Sequence, residues 1–461
     1  MDVESKPVVG VGLARSGVAA ALLLARRGEA VVATDRKGPG ELQEEALRLQ
    51  AAGVKLELGG HAAATFARAS RVVVSPGVPF DLPELVAARR AGIPVLAEIE
   101  MAFEYLKGTV AAVTGTKGKS TTTAAMGAML KEAGRDARVG GNIGEALSTL
   151  VEGSTDDTVF AVEVSSFQLE GITRFRPQVA VFLNLSADHL DRHPSFEAYA
   201  AAKARIFENQ DAGDFAVVNA DDPEVLRLAR AGRARVVPFF PQGVPPGDGA
   251  FFAEGVARLR RGGKEEALFA LADVRLQGAH LASDLLAAAT AARLLGAPAE
   301  AIARAVRAFR GVEHVLEHVA TLGGADYYND SKATNVDAVG KSLAAFPGPV
   351  LLILGGRYKG GDFADLGPAL LTHGKRVLAI GEAQERIVQS LKALVPVDRA
   401  SSLEDAVLRA QAAAAPGDVV LLAPACSSFD MFEDYADRGR RFKDAVRKLA
   451  APDPPEGRTR G

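Results

Sequence analysis

The stretch Val110-Ala-Ala-Val-Thr-Gly115-Thr-Lys-Gly118-Lys119-Ser120-Thr121 decides how the chain is read. An apolar, strand-like run enters a glycine turn, and the helical pattern Thr121–Ala133 follows. Backbone N–H groups in such a turn face inward as an anion-binding nest, and the helix N-terminus adds its dipole. Lys119 can neutralise phosphate oxygens, and a hydroxyl at Ser120 or Thr121 can hold Mg2+. The common phosphate loop has a further glycine where this chain has Val113, so the motif is the shortened Gly-x-x-Gly-Lys-Ser.

The same strand–turn–helix grammar opens the chain, as Val8–Gly12 followed by Val18–Arg27. Gly10-x-Gly12 loosely resembles a dinucleotide fingerprint, with Arg15 where a further glycine is usual. Ala33-Thr-Asp35-Arg36 ends a second apolar run, and Val72-Val-Val-Ser75-Pro76-Gly77 a third. Three strand ends point to one phosphate-bearing ligand. These residues leave an NAD(P) enzyme and another nucleotide binder both open.

In the middle of the chain, Glu163 alternates with valines in Ala161-Val-Glu-Val-Ser165-Ser166-Phe167-Gln168. A carboxylate there is costly to bury unless a cation compensates it, and Mg2+ near the phosphate loop would do so. Asp188-His189-Leu-Asp191-Arg192-His193 follows the apolar run Val179–Leu185, again at a strand end where α/β ligands bind. Spacing alone makes Lys203, in Tyr199-Ala-Ala-Ala-Lys203, a solvated helix residue, and gives His193 a surface or hydrogen-bonding role rather than metal ligation. Three later polar loops follow strand-like runs: Tyr327–Asn335, Gly355–Gly361 and Ala423–Asp430. Cys426, the sole cysteine, excludes an intrachain disulfide; its apolar setting without a local histidine argues against a nucleophile.

Length predicts about three domains. Boundaries near Lys107–Gly108 and Arg310–Gly311 give 1–107, 108–311 and 312–461. Strands alternating with helices predict α/β architecture with mostly parallel sheets. A net charge of −3 leaves no footprint for nucleic acid or acidic membrane. No apolar stretch reaches the roughly 18 residues of a spanning helix, and the N-terminus lacks a signal arrangement, so a cytoplasmic protein is expected. The tail Ala451–Gly461 is expected to fray.

Taken together, these segments resemble the Mur ligase family, in particular its D-glutamate-adding members. Gly115–Thr121 is similar to the family's ATP loop; Glu163–Gln168, Asp188–Arg192 and Tyr199-x-x-x-Lys203 follow at familiar intervals. Asn329–Asn335 and Pro424–Phe432 are similar to the D-glutamate-adding branch. The resemblance implies an N-terminal Rossmann-like nucleotide-sugar domain, a central P-loop-type ATP domain and a C-terminal Rossmann-like domain. It implies that ATP phosphorylates the carboxylate of UDP-N-acetylmuramoyl-L-alanine and that the amine of D-glutamate displaces phosphate. Gly115, Thr116, Lys117, Gly118, Lys119, Ser120, Thr121, Asp330 and Lys332 would contact ATP. Ser120, Thr121 and Glu163 would hold a first Mg2+, and His189 with a carbamylated Lys203 a second. Leu13, Ala14, Arg15, Ser16, Asp35, Arg36, Ser75, Pro76 and Gly77 would hold the UDP, and Asn142, Ser165 and Gln168 the muramoyl-alanine part. Thr334, Lys359 and Ser428 would meet D-glutamate. The partners implied are small molecules only, and the expected state is a monomer.

The chain departs from the family pattern in two places. Gly278-Ala-His280-Leu281-Ala-Ser-Asp284 has Leu281 and Asp284 where asparagines are usual, and His314-Val315 replaces a His-Arg pair. These departures predict weakened nucleotide contacts, with Leu281 able only to pack on a ring face and Asp284 able to accept but not donate hydrogen bonds while ionised. A sibling ligase for another amino acid, or a nucleotide-binding regulator without turnover, are the competing readings.

Overall fold

The computed structural model describes residues 6–188, 192–275 and 278–450. The expectations for residues 1–5, for His189 and Asp191 and for the tail Ala451–Gly461 lie outside the described residues.

Among the described residues the strands form three sheets. The first contains β1 (Val8–Val11), β2 (Val31–Asp35), β3 (Lys55–Leu58), β4 (Arg71–Val74) and β5 (Val95–Ala97), in the order β3-β2-β1-β4-β5. Every pairing in it is parallel; Val8 faces both Val31 and Arg71. The helix Arg15–Arg26 and its neighbours cover the sheet, which is why β1 is apolar on both faces and wholly buried. The strand order reverses at β1 and β4, so the loops after them flank the crevice where α/β sheets bind ligands.

The second sheet contains β6 (Thr109–Thr114), β7 (Ala137–Gly141), β8 (Val159–Glu163), β9 (Val179–Phe182), β10 (Phe215–Asn219), β11 (Arg235–Phe240), β12 (Gly249–Ala253), β13 (Val256–Arg261) and β14 (Lys264–Ala270). Its order is β14-β13-β12-β11-β10-β9-β6-β8-β7. It is parallel from β7 to β12, and β12–β14 form an antiparallel meander. The third contains β15 (Glu317–Leu322), β16 (Ala325–Asn329), β17 (Val350–Gly355), β18 (Gly374–Ile380), β19 (Val397–Arg399) and β20 (Val419–Leu422), ordered β15-β16-β20-β17-β18-β19. Here only the β15–β16 hairpin is antiparallel. The mostly parallel α/β expectation holds.

Among the described residues, those up to 274 together with 282–309 make one compact unit, and those of 275–281 together with 310–450 make another. Within the first, the helix Glu98–Phe103 joins two sheets. Its Ile99 and Met101 share a core with Val110, Phe160, Leu169 and Phe175. Two buried carboxylates on this helix reinforce the joint. Glu98 Oε1 accepts the Ser148 N–H at 2.7 Å, and Glu100 accepts the backbone N–H groups of Thr173, Arg174 and Phe175 at 2.8–2.9 Å. Charge-assisted bonds of this kind are about twice as strong as neutral ones.

Candidate active site

The first sheet gathers its predicted residues at the ends of β1, β2 and β4. Asp35 accepts the Leu13 N–H at 2.6 Å and the Lys37 N–H at 2.9 Å, and the Ser16 and Ser75 hydroxyls lie 3.0 Å apart. A Cβ on Gly17 would lie 1.7 Å from the Gly12 carbonyl oxygen. Only glycine lets the helix begin so close to the strand. Ala14 and Arg15 are exposed at that helix start, and Arg36, Pro76 and Gly77 lie in the adjoining strand-end turns.

The phosphate loop follows β6 and starts the helix Lys119–Glu132, with Gly118 at φ +83° as its N-cap. Lys119 Nζ donates to the carbonyls of Gly115 at 3.0 Å and Thr116 at 2.9 Å. Lys203 Nζ donates to the same Gly115 oxygen at 2.8 Å. Lys203 is 2% exposed, which corrects the solvated reading: the helix Phe196–Ala204 turns it inward over the Tyr199 ring, 4.8 Å from its centroid. Burial, then the charge of Lys119, holds its amine well below the usual lysine range. Tyr199 meets Thr116 Oγ1 at 3.2 Å, and burial pushes its phenol up to about 12.

Glu163, at the end of β8, accepts the Ser120 hydroxyl at 2.7 Å on one oxygen and the Asn142 amide at 2.8 Å on the other. Thr121 is buried one residue on, and Lys117 Nζ stands 3.9 Å from Asp188. Asn142, Glu163 and Lys203, far apart in sequence, thus converge on the loop that carries Lys119 and Ser120. Ser165 and Gln168 form a reciprocal capping box on the helix Ser166–Glu170, which leaves Gln168 buried. His193 is buried, with Nε2 2.9 Å from Ser166 Oγ and its ring stacked on Phe167. Its expected hydrogen-bonding role stands; a surface position does not. Sequence reading missed Asn184, whose side chain accepts the Lys117 N–H at 2.9 Å and donates to the Lys117 carbonyl at 3.1 Å. An asparagine inside the apolar run Val179–Leu185 was the available signal.

Two of the departures read differently in three dimensions. The Asp284 carboxyl abuts Gly118, where a Cβ would fall 2.2 Å from Oδ1. Burial raises its pKa well above the carboxylate range, against the opposing charge of Lys119. Leu281 is buried and belongs to the same apolar cluster as Leu316, Tyr328 and Phe346. Val315 is half-buried beside His314, whose Nδ1 lies 2.8 Å from the Asn329 amide.

In the second unit, Asp330 accepts the Leu316 N–H at 3.2 Å and the Ser342 hydroxyl, and burial pushes its carboxyl up to about 6. The Lys332 N–H donates to the His314 carbonyl at 3.1 Å. Lys359 is exposed, with Nζ 3.4 Å from Thr334 Oγ1, and Ser428 is buried on the loop after β20. Cys426 is fully buried and its thiol is pushed up to about 12, as suits a core residue.

Comparison with known proteins agrees with this architecture. Residues 6–97 match the Mur ligase MurD-like N-terminal domain, 113–292 the Mur ligase middle domain and 316–426 the Mur ligase glutamate ligase domain. The UDP-N-acetylmuramoylalanine--D-glutamate ligase of Acidobacterium capsulatum is 48% identical over 97% of this chain and 97% of its own. That of Geotalea daltonii is 46% identical over 98% of this chain and all of its own length, 100%. Among solved structures, the UDP-N-acetylmuramate-alanine ligase MurC of Thermotoga maritima shares the fold with a TM-score of 0.60 at 21% identity, covering 96% of this chain and 99% of that one. With three domains matched in order and curated relatives aligned over nearly their full length, the chain belongs to the Mur ligase family, among the UDP-N-acetylmuramoylalanine--D-glutamate ligases.

Proposed function

We propose that this protein joins D-glutamate to UDP-N-acetylmuramoyl-L-alanine, with ATP converted to ADP and phosphate, as a step of peptidoglycan synthesis. The observation that carries the reading is the convergence of Lys119, Lys203 and the Ser120–Glu163 pair on the phosphate loop. The names of the near-full-length relatives supply the substrate pair. Labour is divided among 1–107 for the UDP precursor, 108–311 for ATP and the chemistry, and 312–461 for the amino acid and further ATP contacts.

The muramoyl-alanine carboxylate attacks the γ-phosphorus of ATP, and ADP leaves. The D-glutamate amine, having lost a proton, then attacks the acyl carbon, and phosphate leaves from the tetrahedral intermediate. The first step brings anions together, so cationic charge must offset repulsion. Lys119 exchanges its carbonyl partners for phosphate oxygens, alongside the N–H groups of 115–121. The hydroxyl and carboxylate oxygens of Ser120, Thr121 and Glu163 are hard donors that suit Mg2+, which supplies Lewis-acid charge stabilisation when bound. The lowered pKa of Lys203 favours the unprotonated amine, the form that adds CO2 with release of a proton; with His189, the carbamate would serve a second Mg2+. Leu13, Ala14, Arg15, Ser16, Asp35, Arg36, Ser75, Pro76 and Gly77 hold the UDP, and Asn142, Ser165 and Gln168 the muramoyl-alanine part. Asp330 and Lys332 contact ATP, and Thr334, Lys359 and Ser428 take D-glutamate. The enzyme acts as a cytoplasmic monomer on small molecules; no helix among the described residues is long and apolar enough to cross a membrane.

The test is ADP release with each Mur precursor and each candidate amino acid. Release should require UDP-N-acetylmuramoyl-L-alanine and D-glutamate together. Equal turnover with L-glutamate, L-lysine or diaminopimelate overturns the assignment.

A further inference from the structure

The helix Tyr435–Ala450 carries Arg438, Arg440, Arg441 and Arg447. Arg440 and Arg441 pair with Asp437 at the surface, but Arg438 is 0% exposed. Among the described residues its hydrogen-bond acceptors are hydroxyl and carbonyl oxygens, with no carboxylate. Nε donates to Ser331 Oγ at 2.9 Å, Nη2 to the Ser331 carbonyl at 2.9 Å and Nη1 to the Cys426 carbonyl at 3.2 Å. Burial lowers its pKa to about 10, so it remains a cation at neutral pH. Helix-to-sheet packing alone does not call for this, because a hydrophobic residue of similar volume avoids the cost of desolvating a charge.

The acceptors lie on two loops. Ser331 sits between Asp330 and Lys332 on the loop after β16, and Cys426 lies two residues before Ser428 on the loop after β20. A planar guanidinium can reach both at once, which a single ammonium centre does poorly. The neighbouring residue extends the joint. A Cβ on Gly439 would fall 2.2 Å from His314 Nδ1, and its carbonyl accepts the Asn329 amide at 3.3 Å. On the far side, a Cβ on Gly356 would sit 3.3 Å from Arg438 Nη1.

We propose that Arg438 is a positioning residue that sets the spacing between the loop of Asp330, Lys332 and Thr334 and the loop of Ser428. It thereby couples the ATP and D-glutamate contacts of the second unit. This rests on the roles proposed above for those residues. Arg438 acts through the loops and is not itself a catalytic residue.

The full-length enzyme is assayed as Arg438→Lys, Arg438→Met and Ser331→Ala, with each substrate varied in turn. Arg438→Met removes all three bonds and should raise KM for both ATP and D-glutamate by about tenfold, the scale of a single charge-assisted bond passed on to the loops. Arg438→Lys should lie between it and the wild type, and Ser331→Ala should shift the same two constants less. KM for UDP-N-acetylmuramoyl-L-alanine should stay within about twofold in all of them, since its proposed contacts lie in the other unit. A fall in kcat with all KM values unchanged, as a smaller folded fraction produces, overturns the proposal; so does a common rise in all KM values. If the Arg438 variants do not fold, unchanged constants in Ser331→Ala overturn it. A wild type inactive with D-glutamate overturns the functional assignment instead. Hydrogen exchange then decides the coupling: Arg438→Lys should speed exchange at 329–335 and 424–432 together, and unchanged exchange refutes it.

Discussion

The phosphate loop and the C-terminal strand-end loops hold their charges in opposite ways. At the phosphate loop the charged groups meet one another and the backbone they surround: Lys119 and Lys203 share the Gly115 carbonyl, and Glu163 is occupied by Ser120 and Asn142. Each of those bonds is exchangeable for one to a ligand. In the C-terminal unit a buried charge lies behind the loops, in Arg438, while Lys359 is exposed, with Nζ 3.4 Å from Thr334 Oγ1. There the buried guanidinium braces the loops, and Lys359 stands at the surface in front of it. A reacting centre needs partners that can be swapped, whereas a recognition site needs loops that stay in register.

The comparison breaks first at Lys203. Lys203→Ala should lower turnover by about a thousandfold, the scale of losing a preorganised charge at the reacting atoms, and short-chain acids should restore part of it. Thr334→Ala should raise the D-glutamate KM by no more than about tenfold. Single-turnover ADP release measures both, and a Lys203→Ala enzyme retaining a tenth of the activity ends the distinction.

The next effect is on stability. Because the folded pKa of Asp330 is raised to about 6, the native state binds more protons than the unfolded chain between the ordinary carboxylate pKa and that value. Its contribution is therefore full below pH 4 and is lost as pH rises through 6, amounting to about 3 kcal/mol. Glu98 and Asp284, also buried with raised pKa values, act in the same direction. Denaturant unfolding from pH 4 to pH 7 should show this decline, and Asp330→Asn should flatten it.

A smaller change is expected at the metal donors. Glu163→Gln keeps the acceptor for Ser120 but removes the charge, so half-maximal activity should need about ten to thirty times more Mg2+. An unchanged Mg2+ dependence removes Glu163 from the donor set. The smallest effect concerns Leu281. Its side chain is buried in the apolar cluster that also holds Leu316, Tyr328 and Phe346, so Leu281→Asn should lower Tm while changing the ATP/GTP ratio of kcat/KM by less than about twofold. A larger change in that ratio returns this position to the nucleotide site.

Much of this was legible in the chain. The runs at Val8, Val110, Val350, Val377 and Val419 all became buried parallel strands, because residues covered on both faces are apolar without alternation. Glu163 was legible for the complementary reason, being a charge where only an apolar residue is inexpensive. Lys203 was not: periodicity shows that a helix has faces, but an alanine-rich helix such as Phe196–Ala204 does not say which is inward. Asp284 was hidden differently, since its raised pKa comes from burial against Gly118, a contact across 166 residues that spacing cannot show. Arg438 was the least legible. Nothing in its neighbourhood separates it from Arg440 and Arg441, which remain at the surface.

Cys426 turns one of these loops into a clock. It is the only thiol in the chain, wholly covered and held in its unreactive protonated form. A thiol-directed dye therefore stays dark on the closed protein and attaches only when the strand-end loop beneath Arg438 opens. With no competing label elsewhere, the rate of colour development measures that opening by itself, in the unaltered protein. Adding ATP or D-glutamate should show, through that rate alone, how firmly each substrate closes the loop.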